Sequence, residues 1–152
     1  MPGGRYPLRY WQIAAGSDSR DYTRDFFRYG LAFVGGGKNR QRMAHVSEGD
    51  RLILKRGKRE IAAVGVAVKR DDVVNGIAPE SGPREWLHDY DGWDLSSFCC
   101  VEWHREPIPR PVSGLTIGAI KKVGATQSQL IATAEEILRS APSCPICLLY
   151  TS

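Results

Sequence analysis

Two apolar runs separated by a short basic turn constrain the fold of this chain more than any other feature. Residues 50–57 read DRLILKRG and residues 60–70 read EIAAVGVAVKR. In the first run Leu52 and Leu54 alternate with other side chains, as in a strand with one buried face, whereas residues 61–68 are almost wholly apolar, as in a strand buried on both faces. The sequence therefore predicts an antiparallel hairpin at the centre of a small barrel.

Length and composition indicate one globular domain. The chain has 152 residues, of which 42% are hydrophobic and 25% charged, values typical of a soluble folded protein. No window approaches the roughly 18 uncharged apolar residues that a membrane span needs. The opening residues, MPGGRYPLRYWQ, lack the apolar core of a signal peptide. We therefore expect a cytoplasmic protein with no membrane partner.

Periodicity and breaker residues predict the remaining elements. Tyr22, Phe26 and Tyr29 share one face of a helix that Gly30 would end. Glu106–Pro111 in the run EPIPRP is expected to break regular structure and act as a linker. The other expected elements are a strand over residues 9–15, a short apolar run at 31–34, helices at 39–45 and 126–139, helical turns at 84–90, a strand at 98–104, and a final strand or loop at 115–123.

Basic residues concentrate in one window. The formal net charge is +4 and the pI about 9.0, and residues 38–59 hold eight Lys and Arg against Glu48 and Asp50. Such a window is either a plain solvated face or a surface that tracks phosphates, whose binding would be salt-dependent. The candidate phosphate-binding residues are Lys38, Arg40, Lys55, Arg56, Lys58 and Arg59.

Motifs for catalysis or for a cofactor are not found in the sequence. His45, His88 and His104 are scattered, without metal-binding or hydrolase spacing. The triple glycine at 35–37 lacks the pattern of a nucleotide-phosphate loop, and Cys144 and Cys147 form a lone CPIC, which is weak evidence for zinc. We expect no enzyme activity from this chain, no cofactor and no metal.

Four segments, in order, resemble the EVE branch of the PUA-like superfamily. They are YWQ at 10–12, GLAFVG at 30–35, EGDRLILK at 48–55 and the apolar strand at 61–68. The resemblance covers residues 9–112 and implies an α+β fold, a mixed β-barrel with short peripheral helices. The sequence departs from the family at Phe33, where many relatives have Trp, and at residues 15–18, AGSD, where the family has Lys-Ser-Glu-Pro.

The resemblance also implies a function, because family members are thought to read modified bases, notably methylated or hydroxymethylated cytosine. A flipped base needs aromatic surfaces for stacking and hydrogen bonds to its edge. Trp11, Phe33 and Trp93 are the stacking candidates, although Trp11 and Phe33 could equally be core residues. The candidates for contacts to the base edge are Gln12, Ser17, Asp18 and Asp94, of which Asp94 could instead be an ordinary turn residue. DNA is favoured over RNA as the partner.

Two rival functions stay open from the sequence. The chain could be the amino-terminal targeting part of a nuclease or other nucleic-acid-processing enzyme, or a protein-interaction domain with a basic face. The expected organisation is a flexible start (1–8), the EVE-like domain (9–112), a linker and helix leading to a further region (113–141), and a tail (142–152). That tail ends in CLLYTS, which resembles a translated sequencing adapter.

Overall fold

The fold of the chain is α+β. A computed structural model describes residues 8–17, 20–35, 37–57, 59–70, 72–79, 85–90, 92–116 and 118–141; the expected tail and most of the expected flexible start lie outside this part. Its elements are, in chain order, β1 (Tyr10–Ala14), β2 (Gly16–Ser17), β3 (Arg20–Asp21), α1 (Thr23–Tyr29), β4 (Leu31–Val34), α2 (Gly37–Ala44), β5 (Arg51–Arg56), β6 (Glu60–Ala67), β7 (Asn75–Ile77), a 3-10 helix (Glu85–Asp89), β8 (Ser97–Pro111), β9 (Ile120–Lys122) and α3 (Ser128–Ser140).

Seven of these strands form one curled sheet. Its order is β4-β8-β6-β5-β1-β9, with β7 also paired to β8, while β2 and β3 form a separate small pair. Strands β1 and β5 are parallel, and the other pairs in the sheet are antiparallel. Helix α2 contacts β9 and β4, which are the two ends of this order. The sheet is therefore a half-barrel, and α2 lies across its opening.

The predicted central hairpin is confirmed. Strands β5 and β6 pair antiparallel from Arg51 opposite Val66 to Arg56 opposite Glu60. Ala63 of β6 packs into one core and Val64 into a second core on the other face of the sheet. This two-sided burial explains the nearly continuous apolar run in the sequence.

The concave face of the half-barrel holds an aromatic core. Trp103 of β8 stacks against Phe26 of α1 with ring centroids 6.0 Å apart, and its indole N–H donates to the Leu31 carbonyl at 3.0 Å. A Cβ at position 65 would lie 2.8 Å from the Trp103 ring and 2.2 Å from Val101. Glycine is therefore required at position 65 for β6 and β8 to approach each other with this indole between them.

The helices agree with the sequence pattern. Helix α1 buries Phe26 and ends at Gly30, which adopts a left-handed conformation with φ of 63°. Helices α2 and α3 occur close to the predicted positions, and the 3-10 helix occupies the predicted helical turns. In the part of the chain that the structure describes, no helix combines the length and apolar character that crossing a membrane would require.

The expected boundary at residue 112 is wrong, because later residues complete the same sheet. Strand β9 pairs with β1, placing Ile120 opposite Ile13. Helix α3 packs on the convex face, where Leu130 and Ile137 join the core formed by Ile53 and other strand residues. Residues 118–141 therefore belong to the same folded unit as the strands before residue 112.

The expected break at residues 106–111 is also wrong. Strand β8 continues to Pro111, which lies opposite Glu60. The register shifts in this region, since Ile61 is paired with Arg110 whereas Ala63 is paired with Arg105. The prolines of this run fall within or beside this register shift, and bulges are among the few places where a sheet accommodates proline.

Candidate nucleic-acid interface

Trp93 is the one predicted stacking residue that the structure places at the surface. Its side chain is 50% exposed. The backbone N–H groups of Trp93 and Tyr90 each donate to the other residue's carbonyl at 2.9 Å, and Gly92 between them adopts a left-handed φ of 82°. This tight turn holds a large ring out toward solvent, which is the arrangement that base stacking needs.

Asp94 lies next to this ring and is an ionised acceptor at neutral pH. One carboxylate oxygen accepts from the Ser96 backbone N–H at 3.1 Å, and hydrogen bonding to Ser96 holds the pKa of the carboxyl below its ordinary value. The other oxygen lies 4.0 Å from the Arg40 guanidinium, and His88 Nδ1 is 3.9 Å from the first. The carboxylate is exposed, so it remains accessible to a ligand.

Helix α2 brings cations to the Trp93 loop. It buries only Met43 and exposes Lys38 and Arg40. The Asn39 side chain donates to the Gly35 carbonyl at 2.7 Å, and a Cβ on Gly35 would lie 3.1 Å from the Asp94 carbonyl oxygen. The close approach at Gly35 therefore sets the start of α2 against the loop that carries Trp93 and Asp94.

Aromatic side chains support this loop from below. The Tyr90 ring lies 5.1 Å from Trp86 and 5.6 Å from Tyr22, measured between centroids. Burial, followed by a hydrogen bond to Asp25, raises the pKa of Tyr90 to about 12, so its hydroxyl stays protonated. Tyr90 is thus fixed by ring packing and by a side-chain hydrogen bond, and its backbone in turn pairs with that of Trp93.

Phe33 is not available for stacking on a ligand, contrary to one of the two sequence interpretations. It is 2% exposed, and its ring lies 4.8 Å from Phe26 and 5.5 Å from Tyr22. The short run LAFV forms the fully buried strand β4. Phe33 is therefore a residue of the aromatic core.

Trp11 is likewise a core residue, so its predicted place in a base pocket is wrong. It is 4% exposed, and its indole N–H donates to Asp50 at 3.0 Å. Asp50 also accepts from the Ser47 backbone at 3.0 Å and pairs with Arg9 at 3.3 Å. A buried indole needs a partner for its N–H, and the Gly-Asp turn before β5 supplies it.

Gln12 and Lys55 form a polar pair inside the protein, which removes Gln12 from its predicted place at the edge of a base. Gln12 is buried, and its side-chain oxygen accepts from the Thr116 backbone N–H at 2.7 Å and from Lys55 at 3.4 Å. Lys55 is 8% exposed and also donates to the Thr116 carbonyl. Burial, with a smaller contribution from Lys121, lowers the pKa of the Lys55 ammonium. Neither side chain lies on an exposed base-reading surface.

The hairpin turn keeps two of its predicted cations at the surface. Arg56 and Arg59 are exposed, whereas Lys58, Asp18 and the Ser17 side chain lie outside the described residues. Hydrogen bonds from Thr23 lower the pKa of Asp21, and the charge of Arg56 adds a smaller effect. The structure thus groups Asp94 with Arg40, and Gln12 with Lys55, as two separate sets.

Sequence reasoning missed several residues of these two sets. Ser96 and His88 surround Asp94, and Thr116 and Lys121 surround Lys55. The pair Lys121–Lys122 was visible as a basic dipeptide, but its position beside Lys55 depends on the pairing of β9 with β1. That pairing joins residues about a hundred positions apart and has no local signal in the sequence.

A groove of about 880 Å³ lies near the starts of β1 and β5. Its lining residues are Leu8, Arg9, Tyr10, Ser47, Glu48, Asp50, Lys122, Val123, Gly124, Ala125 and Ile131. The predicted base-pocket residues do not line this groove. The groove is therefore separate from the Trp93 surface, and we assign it no ligand.

Comparisons with known proteins found no match, so the function of this surface has to be inferred from its geometry and charge. No protein-family model matches the chain, and a search of curated proteins returns no match. What defines this surface is an exposed tryptophan beside an ionised carboxylate and a basic helix, carried on an α+β half-barrel.

Proposed function

We propose that this protein binds nucleic acid and reads a flipped, modified cytosine on Trp93, as a PUA-like barrel of the EVE type. The observation that carries the proposal is the half-exposed Trp93 ring, fixed by its turn next to the cations of α2. The central hairpin and the Gly-rich approach to α2 agree with the element order behind the resemblance. Any cleavage would come from an associated nuclease domain.

The stacking energy comes from the indole face. Base–aromatic stacking contributes about 1–3 kcal/mol per base and tolerates any base, so it provides affinity more than selectivity. Since Trp11 and Phe33 are core residues, the second face of the flipped base would be left to solvent. A site with one platform favours a base that is already unpaired or easily extruded.

Selectivity for cytosine would come from Asp94. An ionised carboxylate accepts a hydrogen bond from the N4 amino group of cytosine, and it cannot donate to a carbonyl at the same place in thymine. The lowered pKa of Asp94 keeps it an acceptor at neutral pH. A methyl group on the base would add about 1–3 kcal/mol at most through contact with apolar surface.

Affinity for the backbone would come from α2. Lys38 and Arg40 are exposed on the helix that starts against the Trp93 loop. A base on Trp93 stays tethered to its own phosphates, which therefore pass within reach of nearby cations. Each phosphate neutralised in this way should add about one unit to the slope of log affinity against log salt.

The test is binding of labelled oligonucleotides that carry plain, methylated or hydroxymethylated cytosine at one position, at fixed salt. We expect Trp93→Ala to weaken binding about 5- to 150-fold, the loss of one stacking contact. Ile77→Ala is the matched control, because Ile77 is also a large exposed apolar residue. Equal weakening by both substitutions, or none by Trp93→Ala, would refute the proposed platform.

The same assay separates the rival partners. DNA, RNA and an acidic protein of similar charge density are titrated with the full chain at several salt concentrations. Binding of all three with one salt slope, unaffected by Trp93→Ala, would favour a plain basic interaction face. Arg40→Gln should reduce the slope for nucleic acid, whereas Lys69→Gln, at an exposed lysine that is paired with Asp72, should not.

A further inference from the structure

Two polar groups on the convex face of the sheet lack the partners that their burial calls for. The Lys55 ammonium bonds only neutral oxygens among the described residues, those of Gln12 and Thr116, and the charge that acts on its pKa is that of another cation, Lys121, which lies opposite Gln12 on β9. The Thr116 hydroxyl is buried and has no hydrogen-bond partner in the described part of the chain. Each arrangement is costly unless a further group completes it.

The two incomplete groups adjoin each other. The carbonyl that Lys55 bonds belongs to Thr116 itself, so the ammonium contacts the residue that carries the unpartnered hydroxyl. An ammonium has three donors, and two of those of Lys55 are used here. Lys121 lies opposite Gln12 on the neighbouring strand and is exposed, so one member of the cluster reaches solvent.

We propose that Lys55, Lys121 and the Thr116 hydroxyl bind one phosphate group at the end of β5. A phosphate oxygen would accept the third proton of Lys55 and the proton of the Thr116 hydroxyl, and its charge would offset the two ammonium groups. The exposed Arg56, next along β5, adds positive potential at the same end of the strand. This site is independent of the Trp93 platform, and its phosphate belongs either to a nucleic-acid backbone or to a small phosphorylated molecule.

The test is thermal unfolding of the full chain in inorganic phosphate and in chloride at matched ionic strength. A ligand that binds only the folded state raises the melting temperature, and about tenfold excess over Kd should give roughly 3 °C for a chain of this size. We expect Lys121→Ala and Thr116→Val to abolish the rise. Lys122→Ala is the matched control. Lys122 is the next residue of β9 and is also exposed, but it lines the separate groove.

Each outcome decides the proposal. If phosphate raises the melting temperature of the wild type, Lys122→Ala and Trp93→Ala only, the phosphate site is supported. The rise in Trp93→Ala would show that this site is independent of the Trp93 platform. An equal rise in all variants would be the general effect of an excluded salt and would overturn the site, as would no rise at all. Lys55→Met is a further variant, but Lys121→Ala carries the test because Lys121 is exposed and its loss leaves the core intact.

An oligonucleotide arm distinguishes the two sources of phosphate. If the site holds a backbone phosphate, Lys121→Ala should weaken oligonucleotide binding several-fold and lower its salt slope by about one unit. If the natural ligand is a small phosphorylated molecule, the same substitution should remove the effect of inorganic phosphate and leave oligonucleotide binding unchanged.

Discussion

Replacing Leu130 by Ala tests whether α3 is part of the domain. Leu130 is 2% exposed and packs against strand residues on the convex face of the sheet. Removing a fully buried leucine side chain costs about 2–5 kcal/mol, from the lost transfer energy and the cavity that remains. Folded domains are stable by only about 5–15 kcal/mol, so the loss should be large and easily measured.

The assay is urea unfolding followed by tryptophan fluorescence and by circular dichroism. Leu130→Ala should lower the midpoint without changing the slope, because α3 and the sheet unfold together. The melting temperature should fall by roughly 5–15 °C for a chain of this length. Gln129→Ala, at an exposed position on the same helix, should change the free energy of unfolding by less than about 0.5 kcal/mol.

One result would refute this reasoning. If α3 were an appendage, Leu130→Ala would leave the fluorescence transition unchanged and would alter only a separate, early loss of helical signal. A cost below about 1 kcal/mol with unchanged fluorescence would likewise show that the convex core does not stabilise the sheet.

Three further substitutions test a salt bridge, a buried hydrogen bond and a close approach of two strands. Burial raises the pKa of Glu135, but hydrogen bonds from Arg51 and Tyr10 outweigh it, so the pKa is lower than its ordinary value. The ionised Glu135 therefore stabilises the fold above the unfolded pKa of about 4.3, and this stabilisation is lost as pH falls through the folded pKa. Glu135→Gln should flatten the acid side of a plot of melting temperature against pH between about pH 6 and 3. Trp11→Phe should cost about 1–3 kcal/mol in urea unfolding, since the buried Asp50 carboxylate loses one of its three donors, and should not change oligonucleotide binding. Gly65→Ala should largely abolish soluble expression, because its Cβ would lie 2.2 Å from a methyl group of β8.

The parts of the fold that were predictable from sequence have local signals. The hairpin followed from alternation in one run and continuous apolar residues in the next, and the end of α1 followed from Gly30. In both cases the side chains that make the pattern are neighbours along the chain. Periodicity records which face of an element is buried, and it does so without knowledge of the partner.

The parts that were not predictable depend on distant partners. The sequence left residues 115–123 open between a strand and a loop, because a segment as short as β9 carries no periodicity. Strand β9 forms there because its three residues pair with β1. The continuation of β8 through its prolines depends on the bulge opposite β6, which the sequence does not encode in either strand alone. Propensity gave the wrong answer for residues 106–111 because tertiary pairing overrode it.

The candidate site shows the same limit for individual side chains. Trp11 and Trp93 have the same side chain, but one donates to a buried carboxylate and the other lies half exposed on a turn. Lys55 lies in a basic run, and the segment that includes Thr116 covers it. Exposure is a property of what packs against a residue, so a single sequence identifies candidates for a surface without separating them from core residues.

Binding and folding are separable in this architecture, and this follows from where the tryptophans lie. The concave core contains Trp11 and Trp103, whose loss would remove buried area and one indole donor each from the Asp50 carboxylate and the Leu31 carbonyl. Trp93 contributes half of its surface to solvent and is held by the backbone of its turn. Its replacement therefore removes the stacking face while leaving the fold nearly as stable. A selective loss of oligonucleotide binding in Trp93→Ala, with an unchanged unfolding transition, is thus required if the loop that carries Trp93 reads a base.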